Sequence, residues 1–122
     1  MGLVKNYTCS EAIKPYRIVA IDGATELIST AVSGAVSIIG VTGVVGSNAE
    51  GERVDIYKDD VQTVEFGGDV EAGDPLTADA QGRAIAANPA ADTTVRLIGF
   101  AEETGGVGVR GQVHINIQTL RG

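Results

Sequence analysis

The sequence predicts an all-β fold: one small domain of short strands, sandwich- or barrel-like, with an extended N-terminal arm. Three observations predict it. Hydrophobic residues make up 43% of the 122, yet aromatics only 4% and Trp is absent, so the core must be built from Val, Ile, Leu and Ala. The chain carries 17 Gly among many β-branched residues, the mark of short strands joined by tight turns. No segment holds an amphipathic helix of three turns; apolar residues alternate or cluster in short runs at regular spacing. The length suits a single domain with a thin core, which partners would help to stabilise.

Residues 1–16 are polar and end at Lys14-Pro15, so they read as an arm or edge segment outside the core, and residues 17–122 as the β domain. Residues 17–21 (RIVAI) form the first strand, closed by the turn signal Asp22-Gly23. Residues 26–37 fit a strand, a loop or one helical turn. Residues 36–45 (VSIIGVTGVV) read as a buried strand with a bulge or bend at Gly40 or Gly43. A turn over 47–51 leads to 53–57 (RVDIY), and Asp59-Asp60 turns the chain into 62–66 (QTVEF). Two turn signals follow over 67–74, then a short extended piece at 75–78. Gln81-Gly82 makes a hairpin into 83–87. A polar loop over 88–93 precedes a strand at 95–101. A Gly-rich connection over 104–111 leads to a closing strand in which Val113, Ile115 and Ile117 alternate with polar residues.

One echo runs through this series. Ile39-Gly40-Val41 and Ile98-Gly99-Phe100 are 59 residues apart, as are Val54 and Ile56 from Val113 and Ile115. The spacing predicts a β-hairpin or meander used twice in one core, although Ile-Gly and Val-x-Ile are common in any β protein.

Charge and motif content narrow the function classes. A net charge of −7 with nine scattered basic residues argues against tracking a nucleic-acid backbone. The longest apolar stretch is broken by Gly40 and Gly43 and is too short to span a bilayer. The first ten residues lack a secretion-type apolar stretch. Asn6-Tyr7-Thr8 therefore reads as a chance match to the glycosylation pattern, and lone Cys9 as a reduced cytosolic thiol. Gly106 to Gly111 spells GxGxxG, but the next segment alternates like a strand instead of opening a helix, so no dinucleotide site is expected. His114 lies on the polar phase of the last strand without a local nucleophile motif, which predicts no catalytic set. One Cys and one His do not make a zinc site. Asp59-Asp60 and the acids Asp69, Glu71, Asp74 and Asp79 lack EF-hand order and read as turn residues, leaving weak ion binding as a minor option. No cofactor and no metal are expected.

Residues 67–87 (GGDVEAGDPLTADAQGRAIAA) are the most specific stretch. They resemble the core of the capsid decoration, or cement, proteins of tailed bacteriophages. The flanks agree: Arg17-Ile18-Val19 after a polar arm, Ile38 to Val41 before the turn at Gly51-Glu52, and Leu97 to Ala101 before the Gly-rich connection. The likeness spans about residues 17–120. It implies a β-rich, non-enzymatic structural protein, made in the host cytoplasm and carried on the outer capsid surface. Its partners would be the major capsid protein and copies of itself, as homotrimers or, in some relatives, dimers. The family is marked by structural residues, so no active site carries over. Gly73, Asp74 and Pro75 would set one tight turn and Gly82 another, fixing strand register. The capsid-contact candidates are Lys5, Asn6, Tyr7, Lys14 and Tyr16 on the arm, which would order on binding.

The main competing expectation is a β-rich carbohydrate-binding or adhesion module on a virion, for which three Tyr, two Phe and no Trp are a poor supply of stacking surfaces. A small β-fold enzyme lacks a clustered set of reactive groups. A biotinyl- or lipoyl-type carrier would need a Lys at a hairpin tip, and only Lys58 comes near that description.

Overall fold

The computed structural model describes residues 4–122. All regular structure among them is β: β1 (Val4–Thr8), β2 (Ile18–Ile21), β3 (Ile28–Thr30), β4 (Ile38–Val41), β5 (Arg53–Tyr57), β6 (Val61–Glu65), β7 (Pro75–Ala78), β8 (Ala84–Ala86), β9 (Thr94–Ala101) and β10 (Arg110–Arg121). They form two antiparallel five-stranded sheets, ordered β1-β5-β4-β2-β3 and β6-β10-β9-β7-β8. The all-β expectation holds, and the architecture is sandwich-like.

The two orders are one order: adding five to each strand of the first sheet gives the second. The match continues outside the strands. Cys9, just after β1, bridges in parallel to Ile28 of β3, and Phe66, just after β6, bridges in parallel to Ala84 of β8. β1 and β3 are opposite edges of their sheet, so the first bridge requires that sheet to curl until its edges meet at one point. The second sheet curls in the same way. One residue pair is not a ladder, so neither sheet closes into a barrel. Ile13 pairs with Ser47 and Val70 with Gly105. Cys9 N–H donates to Glu52 O and Phe66 N–H to Val109 O, both at 57-residue spacing. Ala24 N–H is received by Asp22 Oδ1, and Gln81 N–H by Asp79 Oδ1. Left-handed backbone recurs in step: Tyr16 (φ 59°) with Gly73 (93°), Glu26 (60°) with Gly82 (75°), Gly51 (87°) with Gly108 (83°). The chain is two tandem copies of one structural unit.

This refines the echo in the sequence. Gly40 pairs with Val19 and Gly99 with Leu76, at matching points of the two units, so the 59-residue spacing is correct for β4 and β9. For β5 and β10 it is not. Tyr7 faces Val54 and Val64 faces Gly111, so Val54 corresponds to Gly111 and Ile56 to Val113, 57 residues apart. A slip of two residues keeps the inward phase of a strand, and for that reason the wrong alignment still looked regular.

Among the described residues two hydrophobic clusters hold the fold. One lies within the first unit and contains Cys9, Ile13, Val19, Ile28, Val54 and Ile56. The other combines the interior of the second unit (Phe66, Val70, Leu76, Ala84, Val113) with residues of the first (Ile18, Ala20, Val41). β2 therefore buries both faces, Val19 towards one cluster and Ile18 and Ala20 towards the other. That explains why residues 18–21 read as a continuous apolar run instead of alternating. A charged seam also ties the units. Arg17, 8% exposed, pairs with Glu65 at 3.1 Å, and Arg83 lies between Glu65 and Asp79.

Two expectations need correction. The described part of residues 1–16 is the edge segment, one of the two expected options, but it does not lie wholly outside the core. β1 runs antiparallel to β5 over its whole length as an edge strand, and Cys9 and Ile13 are each 1% exposed. Cys9 and Ile13 are the points where this segment crosses the interior, whereas Val4 stays exposed. Residues 1–3 of the expected arm lie outside the described residues. Nor are residues 36–45 one buried strand. Pairing ends at Val41, Gly43 turns at φ 69°, and Val44 and Val45 stand 66% and 67% exposed.

Candidate interaction surface beside the first strand

Lys5, Asn6 and Tyr7 all lie on β1, and strand alternation divides them. Tyr7 turns inward and packs its ring against the first-unit cluster. Its hydroxyl is 2.8 Å from Lys58 Nζ, and the ammonium groups of Lys5 and Lys58 each lie 5.4 Å from the ring centroid. Two cations thus share one aromatic ring, an arrangement stabilised by the ring quadrupole. Asn6 turns outward. Its amide donates to Asp55 Oδ1 at 3.1 Å and accepts from Arg53 Nε, while Arg53 Nη1 donates to Thr8 Oγ1 at 3.0 Å.

β1 borders a groove of about 540 Å³ whose far wall is the turn between β2 and β3, with Thr25, Glu26 and Leu27. Backbone phase determines what β1 offers to it. Cys9 N–H points to the β5 side, where Glu52 O accepts it. Alternation then sends the N–H groups of Thr8 and Asn6 to the open side. Lys5 and Arg53 line the groove, with Glu26 the single acid among its described lining residues, so this corner is locally positive on a chain of net charge −7.

Lys14 and Tyr16 do not join this group. Lys14 is exposed, and its carbonyl accepts from Thr42 Oγ1 at 3.0 Å. Tyr16 is a structural joint between the units. Its N–H donates to Gly43 O, its carbonyl accepts from Glu65 N–H, and Arg110 lies 4.6 Å over its ring. Lys14 instead borders a second depression of about 500 Å³, formed with Pro15 and the exposed Val44-Val45 pair.

The expected turn residues sit at corners. Gly73 has φ 93°, Asp74 Oδ2 accepts from Glu71 N–H at 2.9 Å, Pro75 opens β7, and Gly82 has φ 75° between β7 and β8. The segment after Gly106 continues into β10, not a helix. Cys9 is buried in the first unit, while His114 is exposed on β10 of the second, across from Phe100 and Val61. Among the described residues no group of three or more His, Cys, Asp or Glu could hold a metal ion. Lys58 is tied to Tyr7 and does not stand at a free hairpin tip.

Sequence reasoning missed Arg53 and Lys58, which complete the positive corner, and the exposed Val44-Val45 pair. Arg53 was visible only as the polar phase of a strand. Its neighbours Asn6 and Thr8 come from a strand 45 residues or more away. The glycines flanking Val44 and Val45 were the one local sign of a loop.

No protein-family model and no curated protein matches the chain. Among solved structures it is similar to the N base of the head fiber gp8.5 of bacteriophage phi29. The TM-score is 0.68 at 21% identity, with 95% of each chain covered. The chain shares its fold with the base of a phage head fiber. Since 95% of each chain takes part, the likeness takes in both units.

Proposed function

We propose that the chain is a structural protein of a tailed-phage virion, carried on the outside of the head and bound to the major capsid protein. The observation that carries this reading is the fold likeness to a head-fiber base over 95% of both chains. The resemblance of residues 67–87 to decoration proteins is independent support, since it rests on local sequence and not on overall shape. Exposed patches at the β1 groove and at Val44-Val45 suit a protein that contacts neighbours.

Decoration then works by linkage. A protein that binds the assembled lattice and not free subunits stabilises the lattice by mass action. Contacts to more than one shell subunit, or assembly of this chain into trimers or dimers, make each further contact intramolecular and slow release. A second reading follows from the identity of the structural neighbour: the chain is the base on which a head fiber stands. Both readings place it on the head exterior and both are non-enzymatic.

Mass spectrometry of purified virions, with antibody labelling of intact heads, tests the proposal. The expected result is a fixed ratio to the shell protein and label on the outer surface. Absence from virions, or label only on tails, overturns it.

A further inference from the structure

The tandem units are built alike, but one slot is filled in the second and empty in the first. In the second unit, the open side of β6 receives an extended segment. Glu65 N–H donates to Tyr16 O at 3.0 Å, and two residues later Ile18 N–H donates to Gly82 O at 2.7 Å. The side chain between them, Arg17, pairs with the Glu65 carboxylate at 3.1 Å. The segment bridges the edge strand to the β7–β8 turn.

The corresponding points in the first unit are fixed by the shared hydrogen bonds. Thr8 precedes the bridging Cys9 as Glu65 precedes Phe66, and Glu26 occupies the left-handed position of Gly82. Thr8 and Glu26 line opposite walls of the 540 Å³ groove. There, Thr8 N–H faces the open side and no segment of the described residues lies between the walls.

We infer that this groove is a docking slot for an extended, acidic segment of a partner chain. The filled slot defines the occupant's backbone: a carbonyl for Thr8 N–H, and an N–H two residues on for Glu26 O. This is strand addition at a sheet edge, in which main-chain bonds give affinity and side chains give selectivity. Charge defines the middle residue. The filled slot sets Arg17 against Glu65, whereas the empty one presents Lys5 and Arg53, so the incoming side chain is Asp or Glu. A second copy of this chain is the weaker fit. Its counterpart of 16–18 is Gly73-Asp74-Pro75, which has the acid, but Pro75 lacks the N–H that Glu26 O requires. The inference goes beyond the virion proposal and stands without it.

The test is an amide-resolved NMR titration of the whole chain with a blocked pentapeptide, Gly-Tyr-Asp-Ile-Val. Two analogues accompany it, one with Lys in place of Asp and one N-methylated at Ile. The expected result is saturable shifts at Thr8 and Leu27, with both analogues at least about tenfold weaker. Arg53→Glu with Lys5→Glu should reverse the Asp-over-Lys preference. If that variant does not fold, the N-methyl comparison on the unaltered chain still decides. The inference is overturned by no saturable shift at about 10 mM peptide, or by equal binding of the Lys peptide. Shifts at Thr8 that grow with protein concentration alone would also overturn it, since a second copy would then fill the slot.

Discussion

The tandem architecture makes a sharp prediction about core volume. Phe66 corresponds to Cys9 and Gly111 to Val54, so the two units solve the same interior position with different pairs, Cys with Val and Phe with Gly. The exchange is visible in the contacts. A Cβ on Gly111 would overlap Phe66 Cζ and stand 2.6 Å from Cε2, so no side chain fits while the ring is present. Gly111→Val alone should cost about 3 kcal/mol from overpacking. Phe66→Cys alone should cost about 3–4 kcal/mol, since Phe66 is fully buried and its ring leaves a cavity. Together they recreate the pairing of the first unit and should cost less than about 2 kcal/mol, a coupling of several kcal/mol between touching residues. A remainder is expected because Gly105 also packs on the ring, its Cβ position 2.9 Å from Phe66 Cδ2, where the first unit has Ser47. Urea unfolding followed by circular dichroism measures all three variants. For a chain of this length, each kcal/mol also moves the melting point by about 4 °C. Additive costs in the double variant would refute the correspondence of the two units at this position.

Three further predictions test other parts of the structure. Glu65→Gln leaves the nearly buried Arg17 without its carboxylate, and because Glu65 is partly exposed the expected loss is about 1–3 kcal/mol by denaturant unfolding, with Glu65→Asp losing less. Gly51→Ala and Gly108→Ala meet no neighbouring atom and differ from wild type only in left-handed backbone strain, so each should cost about 1–2 kcal/mol and the two should agree in thermal melts. Removal of residues 2–16 takes away β1, Cys9 and Ile13, so the chain should lose its cooperative melting transition in calorimetry, whereas a dispensable arm would leave that transition unchanged.

The strands were legible in the sequence where periodicity and punctuation agreed. Residues 53–57 and 75–78 fall on β5 and β7, with the turns at Gly73 and Gly82 on either side of the latter. Legibility failed where long-range packing decided. Ile13 sits between Glu11-Ala12 and Lys14-Pro15 with no strand pattern around it, and its pairing with Ser47, 34 positions away, draws it inside. Val44 and Val45 have the composition of a strand but follow a left-handed glycine that carries the chain off the sheet. The duplication was half legible. Gly40 and Gly99 echo each other because each passes close to a neighbouring strand's backbone, Tyr57 O in one case and His114 O in the other. The rest of the repeat lies in hydrogen bonds and backbone conformation, which sequences as different as Tyr16 and Gly73, or Glu26 and Gly82, can share. The β1 groove was half legible too: Lys5, Asn6 and Tyr7 were named, but their meeting with Arg53 and Lys58 depends on pairing across the chain.

The proposal that this chain sits on the exterior of a phage head and binds its shell is tested by co-sedimentation of the purified chain with mature heads stripped of surface proteins. The expected result is saturable binding at a fixed ratio to the major capsid protein, with raised thermal resistance of the heads. Failure to sediment with intact heads at any concentration would contradict it.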